Sequence, residues 1–220
     1  MKLFVDFKKP VPIYKEIDFN AESDQIPFNL PKAKRGRGGG TNFNYLKCEN
    51  FEIIPHAHVT HLETKSHLYG NNLVEPLPLS LNEPLLTKII DINQISDEIT
   101  NENENVQFII LKKRITKKRN FEGVNIEIIK QILEKYPKII VLGINEPSFD
   151  PEQDDCLMSA HKFLFNYKEI YLIELLNLEE IKSSNFYYYC FLNLFRLGLT
   201  DAYPCSPVLY PIPPRDNGLE

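Results

Sequence analysis

The chain holds five histidines in 220 residues, and four of them fall within twelve positions. They are His56, His58, His61 and His67, in Pro55-His-Ala-His-Val-Thr-His-Leu-Glu-Thr-Lys-Ser-His67, which also carries Glu63. The fifth, His161, is followed thirteen positions later by Glu174 inside an apolar run. Imidazole and carboxylate are the ligands that zinc and similar divalent ions take from proteins. Scarce histidines gathered in one short stretch point to a metal site. Read as a strand, the stretch alternates its side chains between two faces. His61, Glu63 and His67 then share one face, and His56 and His58 share the other. A turn or bulge near Val59-Thr60 brings one even-numbered histidine round to join His61 and Glu63. Two imidazoles and one carboxylate form a set that zinc hydrolases use while leaving a position open for water. His161 and Glu174 either complete that set or hold a second ion, and the two oxygens of Glu63 suit it to bridge two ions.

The elements that must position these residues can be read from periodicity. Phe51–Ile54 reads as a strand entering the histidine cluster. Strands are also expected over Leu85–Ile92, Gln107–Leu111, Lys138–Gly143 and Ile170–Glu174. Asn125–Lys135 places apolar residues at helical spacing, and Pro151–Asn166 holds a helix carrying His161. Glu179-Glu-Ile181 reads as the start of a short helix. Tyr187–Leu192 and Val208–Tyr210 close the chain as strands. The second half alternates strand and helix, so βαβ crossovers are expected, whereas the first half reads as β-rich. Together they predict a mixed α/β domain, with a loop-rich segment around residues 20–42. Gly38, Gly39 and Gly40 in that segment precede a strand-like run, not the helix a phosphate cradle needs, so they read as a lid or connector.

Composition limits the function classes. Hydrophobic residues make up 43% of the chain, enough for a core, and the formal charge of -5 gives no reason to expect nucleic acid or membrane partners. The basic stretch Lys112–Arg119 reads as a solvated strand end and loop. Four cysteines, at 48, 156, 190 and 205, show no C-x-x-C pairing and suit reduced thiols in a cytoplasmic protein. No secretory leader and no apolar run of membrane-spanning length is read. Phe186–Tyr189 reads as core or interface packing before an aromatic pocket lining.

The histidine stretch resembles the H-x-G-T-H-x-D-x-P-x-H signature of the metal-dependent cyclase family, which includes kynurenine formamidases. Three further segments resemble that family in the same order. Val141-Leu-Gly-Ile-Asn-Glu-Pro-Ser-Phe-Asp150 is similar to its G-I-D-x-x-S-x-D, Ala160-His-Lys-Phe-Leu164 to its A-H-x-x-L, and Ile173-Glu-Leu-Leu-Asn-Leu178 to its V-E-N-L-N-L. The resemblance implies a single swivelling β/β/α domain over residues 1–220 and a homodimer or homotetramer. The apolar segment Pro204–Pro214 is a candidate to dock on a neighbour. It implies a divalent metal, zinc or manganese, held by His56, His61, Glu63, His161 and Glu174. His67 becomes the proton donor and acceptor. The implied activity is hydrolysis of a small N-formyl or cyclic amide by metal-activated water. A catalytically drifted relative that binds a small ligand or protein partner is the alternative.

Five departures bear on that choice. The family leaves three residues between its first two histidines, and here His56 leaves four and His58 two; His56 is favoured as the first ligand. Val59 stands in place of glycine, whose freedom at positive φ eases a tight turn. Glu63 replaces aspartate and carries its carboxylate out by about 1.5 Å. Lys65 replaces proline, where an ammonium would repel a metal or pair with Glu63, and Asn145 replaces aspartate.

Overall fold

The centre of the molecule is set by Phe108-Ile-Ile-Leu111, four apolar residues in a row with no solvent-facing position among them. Such a run suits a parallel strand covered on both faces. The computed structural model describes residues 10–15, 34–37, 49–52, 54–69, 77–95, 105–114, 119–155, 157–181, 187–195 and 200–212. In chain order the strands are β1 (Val11–Pro12), β2 (Lys34–Arg37), β3 (Glu49–Glu52), β4 (His61–Glu63), β5 (Leu85–Asp91), β6 (Phe108–Lys112), β7 (Val141–Ile144), β8 (Tyr171–Glu174), β9 (Tyr187–Phe191), β10 (Ala202–Pro204) and β11 (Val208–Ile212). The α-helices are α1 (Pro55–His58), α2 (Ser66–Tyr69), α3 (Ile126–Lys135) and α4 (Ser159–Tyr167).

Among the described residues nine strands form one mixed sheet in the order β1-β11-β9-β5-β6-β7-β8-β4-β10, and β2 pairs with β3 separately. The pairs β5–β6, β6–β7 and β7–β8 are parallel. The connections through α3 and α4 are therefore the expected βαβ crossovers. Strands β10 and β11 are separated by seven inter-strand steps in this order. On a flat sheet those steps would span about 34 Å. Yet only residues 205–207 join the two strands, a link of at most about 14 Å. The sheet must therefore curl until its ends approach, which carries the C-terminal strands back to the histidine cluster.

Alternation along the central strands feeds two cores. Phe108, Ile110, Ile89 and Ile173 face one, with Leu77, Leu81, Leu176 and Leu209. Ile109, Leu111, Ile90 and Leu172 face the other, beneath Ile129, Ile132 and Leu133 of α3 and Leu164 and Phe165 of α4. Each fully buried Leu, Ile or Phe contributes roughly 1.5–3 kcal/mol. Helix α3 begins at Asn125, whose side chain accepts from the Glu127 N–H at 2.8 Å.

Several sequence expectations are corrected. The stretch 51–67 is not one strand: β3 ends at Glu52, the histidines occupy one helical turn, a three-residue strand and a second helical turn. Pro55 takes the first helical position, where its missing N–H has no role, and from this helical turn His56 reaches Glu63. Residues 179–181 form a turn, not a helix. The loop expected over 20–42 contains β2, paired in register with β3; the rest of that segment lies outside the described residues. Within segment 204–214, β11 pairs with β9 and β1. Tyr188 is in the core, and Phe186 lies outside the described residues.

Candidate metal centre

Strand register does the first part of the assembly. His61 lies directly across from Glu174 in the antiparallel β4–β8 pair, and Glu63 lies two residues on along the same face of β4. Glu63, His61, His161 and Glu174 are all 2% exposed or less. The two oxygens of the Glu63 carboxylate face different partners. Oε1 is 2.6 Å from His56 Nδ1 and 3.1 Å from His61 Nε2. Oε2 is 2.7 Å from His161 Nε2. Glu174 is placed between the inner histidines, its Oε2 3.6 Å from His61 Nε2 and its Oε1 3.5 Å from His161 Nε2. Residues from both halves of the chain thus converge as the sequence predicts. His56 joins them from α1, and His67 packs over its ring at 4.4 Å between centroids.

His58 takes the other direction. Its Nδ1 accepts from the Ile54 N–H at 2.9 Å and serves as a cap for α1. Of the two even-numbered histidines, His56 reaches Glu63.

Outer partners fix the inner rings. His61 Nδ1 donates to the Val59 carbonyl at 3.0 Å. His161 Nδ1 donates to Asp150 Oδ2 at 2.5 Å. In both, the Nε2 lone pair is turned toward carboxylates, and lone pairs facing carboxylates repel unless a positive charge lies between them. A metal ion or protons must supply it. Imidazoles whose Nδ1–H is tied to an oxygen while Nε2 points inward are arranged as metal ligands are. His56 turns Nδ1 to Glu63, and its Nε2 is buried on the side of Asp201. Asp201 Oδ2 stands 3.5 Å from it, outside good hydrogen-bond geometry. Among the described residues three overlapping sets have ligand atoms within 4.8 Å of one another: His56, His61 and Glu63; Glu63, His67 and His161; and His56, His67 and Asp201. The donor set fits a divalent ion of the kind zinc represents.

Without metal, charge is balanced by protons. Burial opposes ionisation of Glu63, yet the His161 cation and bonds to the histidines hold its carboxyl well below the usual range. Burial likewise opposes the His161 cation, and Glu63 and Asp150 overcome it and raise its pKa well above the ordinary value. His61 is raised against burial by Glu174 and Glu63. His56 is pushed up to about 10 despite burial, by Asp201 and Glu63.

The supporting loops are local solutions to backbone problems. Asp150 accepts from the Ala160 N–H at 2.6 Å and the His161 N–H at 3.2 Å, so it caps α4 as well as orienting His161. The Phe149 N–H donates to Glu174 Oε1 at 2.8 Å. Gly123 at φ +64 sits against this loop, and a Cβ there would meet the Phe149 carbonyl oxygen at 2.4 Å. Leu175 follows Glu174 in the left-handed region at φ 58. Its N–H donates to the Glu146 carbonyl at 2.9 Å, and its own carbonyl accepts from Thr60 Oγ1 at 2.6 Å.

The sequence departures find their places. Val59 has φ -137, ordinary extended backbone that needs no glycine. Lys65 is exposed, its Nζ 5.5 Å from the Tyr69 ring centroid, so it points away from Glu63. Asn145 accepts from the Lys113 N–H at 2.9 Å and donates to the Lys113 carbonyl at 3.0 Å. That double bond needs an amide, since a carboxylate only accepts. The basic stretch borders a separate cleft of about 660 Å³ that none of the converging histidines line. There Lys113 pairs with Glu146 at 2.8 Å. Asp150 and Asp201 are the site residues that sequence reasoning missed. Asp150 was signalled by the Ser-x-Asp segment; nothing near Asp201 marked it.

No family model and no curated protein sequence matches the chain. Solved structures do. A potential metal-dependent hydrolase with cyclase activity is 18% identical, with a TM-score of 0.66 over 94% of this chain and 99% of the other. A predicted metal-dependent hydrolase from Bacillus stearothermophilus is 20% identical, with a TM-score of 0.67 over 92% and 98%. Isatin hydrolase A from Labrenzia aggregata, bound to benzyl benzoate, is 13% identical, with a TM-score of 0.65 over 93% and 94%. The chain has the fold of these metal-dependent hydrolases and cyclases. Among the described residues no helix is long and apolar enough to cross a membrane.

Proposed function

We propose that the protein is a metal-dependent hydrolase of small amides, of the N-formyl or cyclic class. The observation that carries this reading is the divided carboxylate of Glu63, with Oε1 toward His56 and His61 and Oε2 toward His161. His56, His61 and Glu63 would hold one ion, and Glu63, His161 and Glu174 a second. When bound, a divalent ion supplies Lewis acidity for a carbonyl and lowers the pKa of water from 15.7 to about 7. The protein's own groups do the rest. Asp150 and the Val59 carbonyl hold the inner imidazoles in one tautomer. His67, 22% exposed beside this cluster, would pass a proton from water to the leaving nitrogen. Isatin, which names one of the fold neighbours, is itself a cyclic amide, and it supports this substrate class.

The test is metal content by elemental mass spectrometry, followed by hydrolysis of isatin and of formanilide. The expected result is one to two zinc or manganese ions per chain and turnover of at least one amide. Turnover should fall by about 10²-fold or more in His67→Ala, with metal content unchanged. A protein that takes up no ion in excess zinc or manganese, or a His67→Ala variant with full turnover, would overturn the reading.

A further inference from the structure

Building on the hydrolase reading, we propose that Asp201 is a positioning residue for His67: it keeps the ring proton on Nδ1 and leaves Nε2 to handle the substrate's proton. Asp201 Oδ2 lies 3.2 Å from His67 Nδ1. A carboxylate accepts and never donates, so the nitrogen facing it carries the hydrogen. The proton route then balances. Water gives a proton to Nε2 as its oxygen bonds to the amide carbon. Nε2 returns that proton to the nitrogen as the carbon–nitrogen bond breaks, and the Nδ1 proton stays with Asp201 throughout.

The pair is built by the backbone. Thr64 holds both members: its N–H donates to the Asp201 carbonyl at 3.2 Å, and its carbonyl accepts from the His67 N–H at 2.9 Å. The β4–β10 register, with Ala202 opposite Glu63, carries Asp201 to this point from the far end of the chain. Thr200 Oγ1 donates to Asp201 Oδ1 at 3.3 Å, and Oδ2 faces the His67 ring at 3.2 Å and His56 Nε2 at 3.5 Å. His56, His67 and Asp201 also make a set able to ligate an ion. That makes Asp201 as a ligand the rival role.

The experiment uses the zinc-loaded 220-residue chain with ring-¹⁵N histidine. Long-range ¹⁵N–¹H correlation spectra give the His67 tautomer, assigned by its loss in His67→Ala. The parent should show protonated Nδ1 and bare Nε2. In Asp201→Ala the ring should move toward the Nε2–H form that free imidazole favours. With isatin or formanilide, kcat should fall at least about tenfold while KM stays within about twofold and zinc per chain is unchanged. Asp201→Glu should recover part of kcat. Asp201→Asn keeps the shape, can accept or donate, and should give a mixed tautomer should the alanine variant misfold. An unshifted His67 tautomer in these variants, an unchanged kcat, or the loss of a zinc equivalent would overturn the proposal. If the zinc-loaded parent hydrolyses neither amide, the hydrolase reading fails, while the spectra still decide whether Asp201 sets the ring.

Discussion

The inner and outer halves of the histidine cluster are built by different means. Inside, His61, Glu63 and Glu174 sit on paired strands, and His161 sits in the first turn of α4. All are 2% exposed or less, and their orientation is fixed by a backbone carbonyl, a backbone N–H and Asp150. Outside, His56 and His67 ride on single helical turns and are about one-fifth exposed, and Asp201 is 40% exposed. One-turn helices have little stability of their own. The outer residues therefore hold their geometry through one another and through Thr64. A rigid inner half suits ion binding, which His56 would complete from the outer half, and the accessible His67 and Asp201 suit proton traffic with substrate.

The sharpest way to break this comparison is at the residue both halves share. Glu63→Gln removes the charge that His56, His61 and His161 all face. Retained metal should fall below half of the parent's after dialysis and reloading, measured by elemental mass spectrometry, and turnover by about 10³-fold. The metal-free protein should also lose about 3–5 kcal/mol in urea denaturation, because buried cations lose their partner. Asp150→Asn comes next. It leaves the ligand atoms in place and loosens the His161 tautomer, so metal affinity should drop by about 10–100-fold in a competition titration. Full affinity in that variant would mean that the inner half owes its order to packing alone.

Metal removal separates the halves by stability. An ion present at 100 times its Kd stabilises the folded state by about 2.7 kcal/mol. For a chain of 220 residues that corresponds to a Tm shift of roughly 5–10 °C. Chelation should lower Tm by that amount in the parent and in His67→Ala alike, and by much less in Glu63→Gln. Equal shifts in all three would place the ion elsewhere.

What could be read in the sequence follows the same division. The central strands were legible because residues buried on both faces leave a continuous apolar run, as in Phe108–Leu111 and Val141–Ile144. His61 and Glu63 were legible because period-two alternation holds on β4. His56 and His67 were misread as strand residues, since one-turn helices are too short to show helical periodicity. Asp201 was invisible because its place depends on a curled sheet bringing residues 201–204 beside β4, which no local pattern records. Lys65 shows the opposite error: a charge adjacent in sequence turned out to face solvent.

The smallest effect expected concerns pH in the metal-free protein. His56 is the outer histidine in contact with Glu63, and its pKa is pushed up to about 10 from an ordinary 6.5. A raised folded-state pKa means that the proton stabilises the native form. That contribution is complete below about pH 6.5 and is lost as pH rises through about 10. In chelator, urea denaturation should therefore show stability falling between pH 7 and pH 10. His56→Gln, which has no proton to lose, should fall less, by about 1–2 kcal/mol, well short of the limit set by 1.36 kcal/mol per pKa unit. With zinc bound the ligands are already deprotonated, so the His56-dependent part of the slope should vanish. If that slope persists with zinc present, His56 is protonated rather than coordinated, and the first ion's ligands are confined to the inner half.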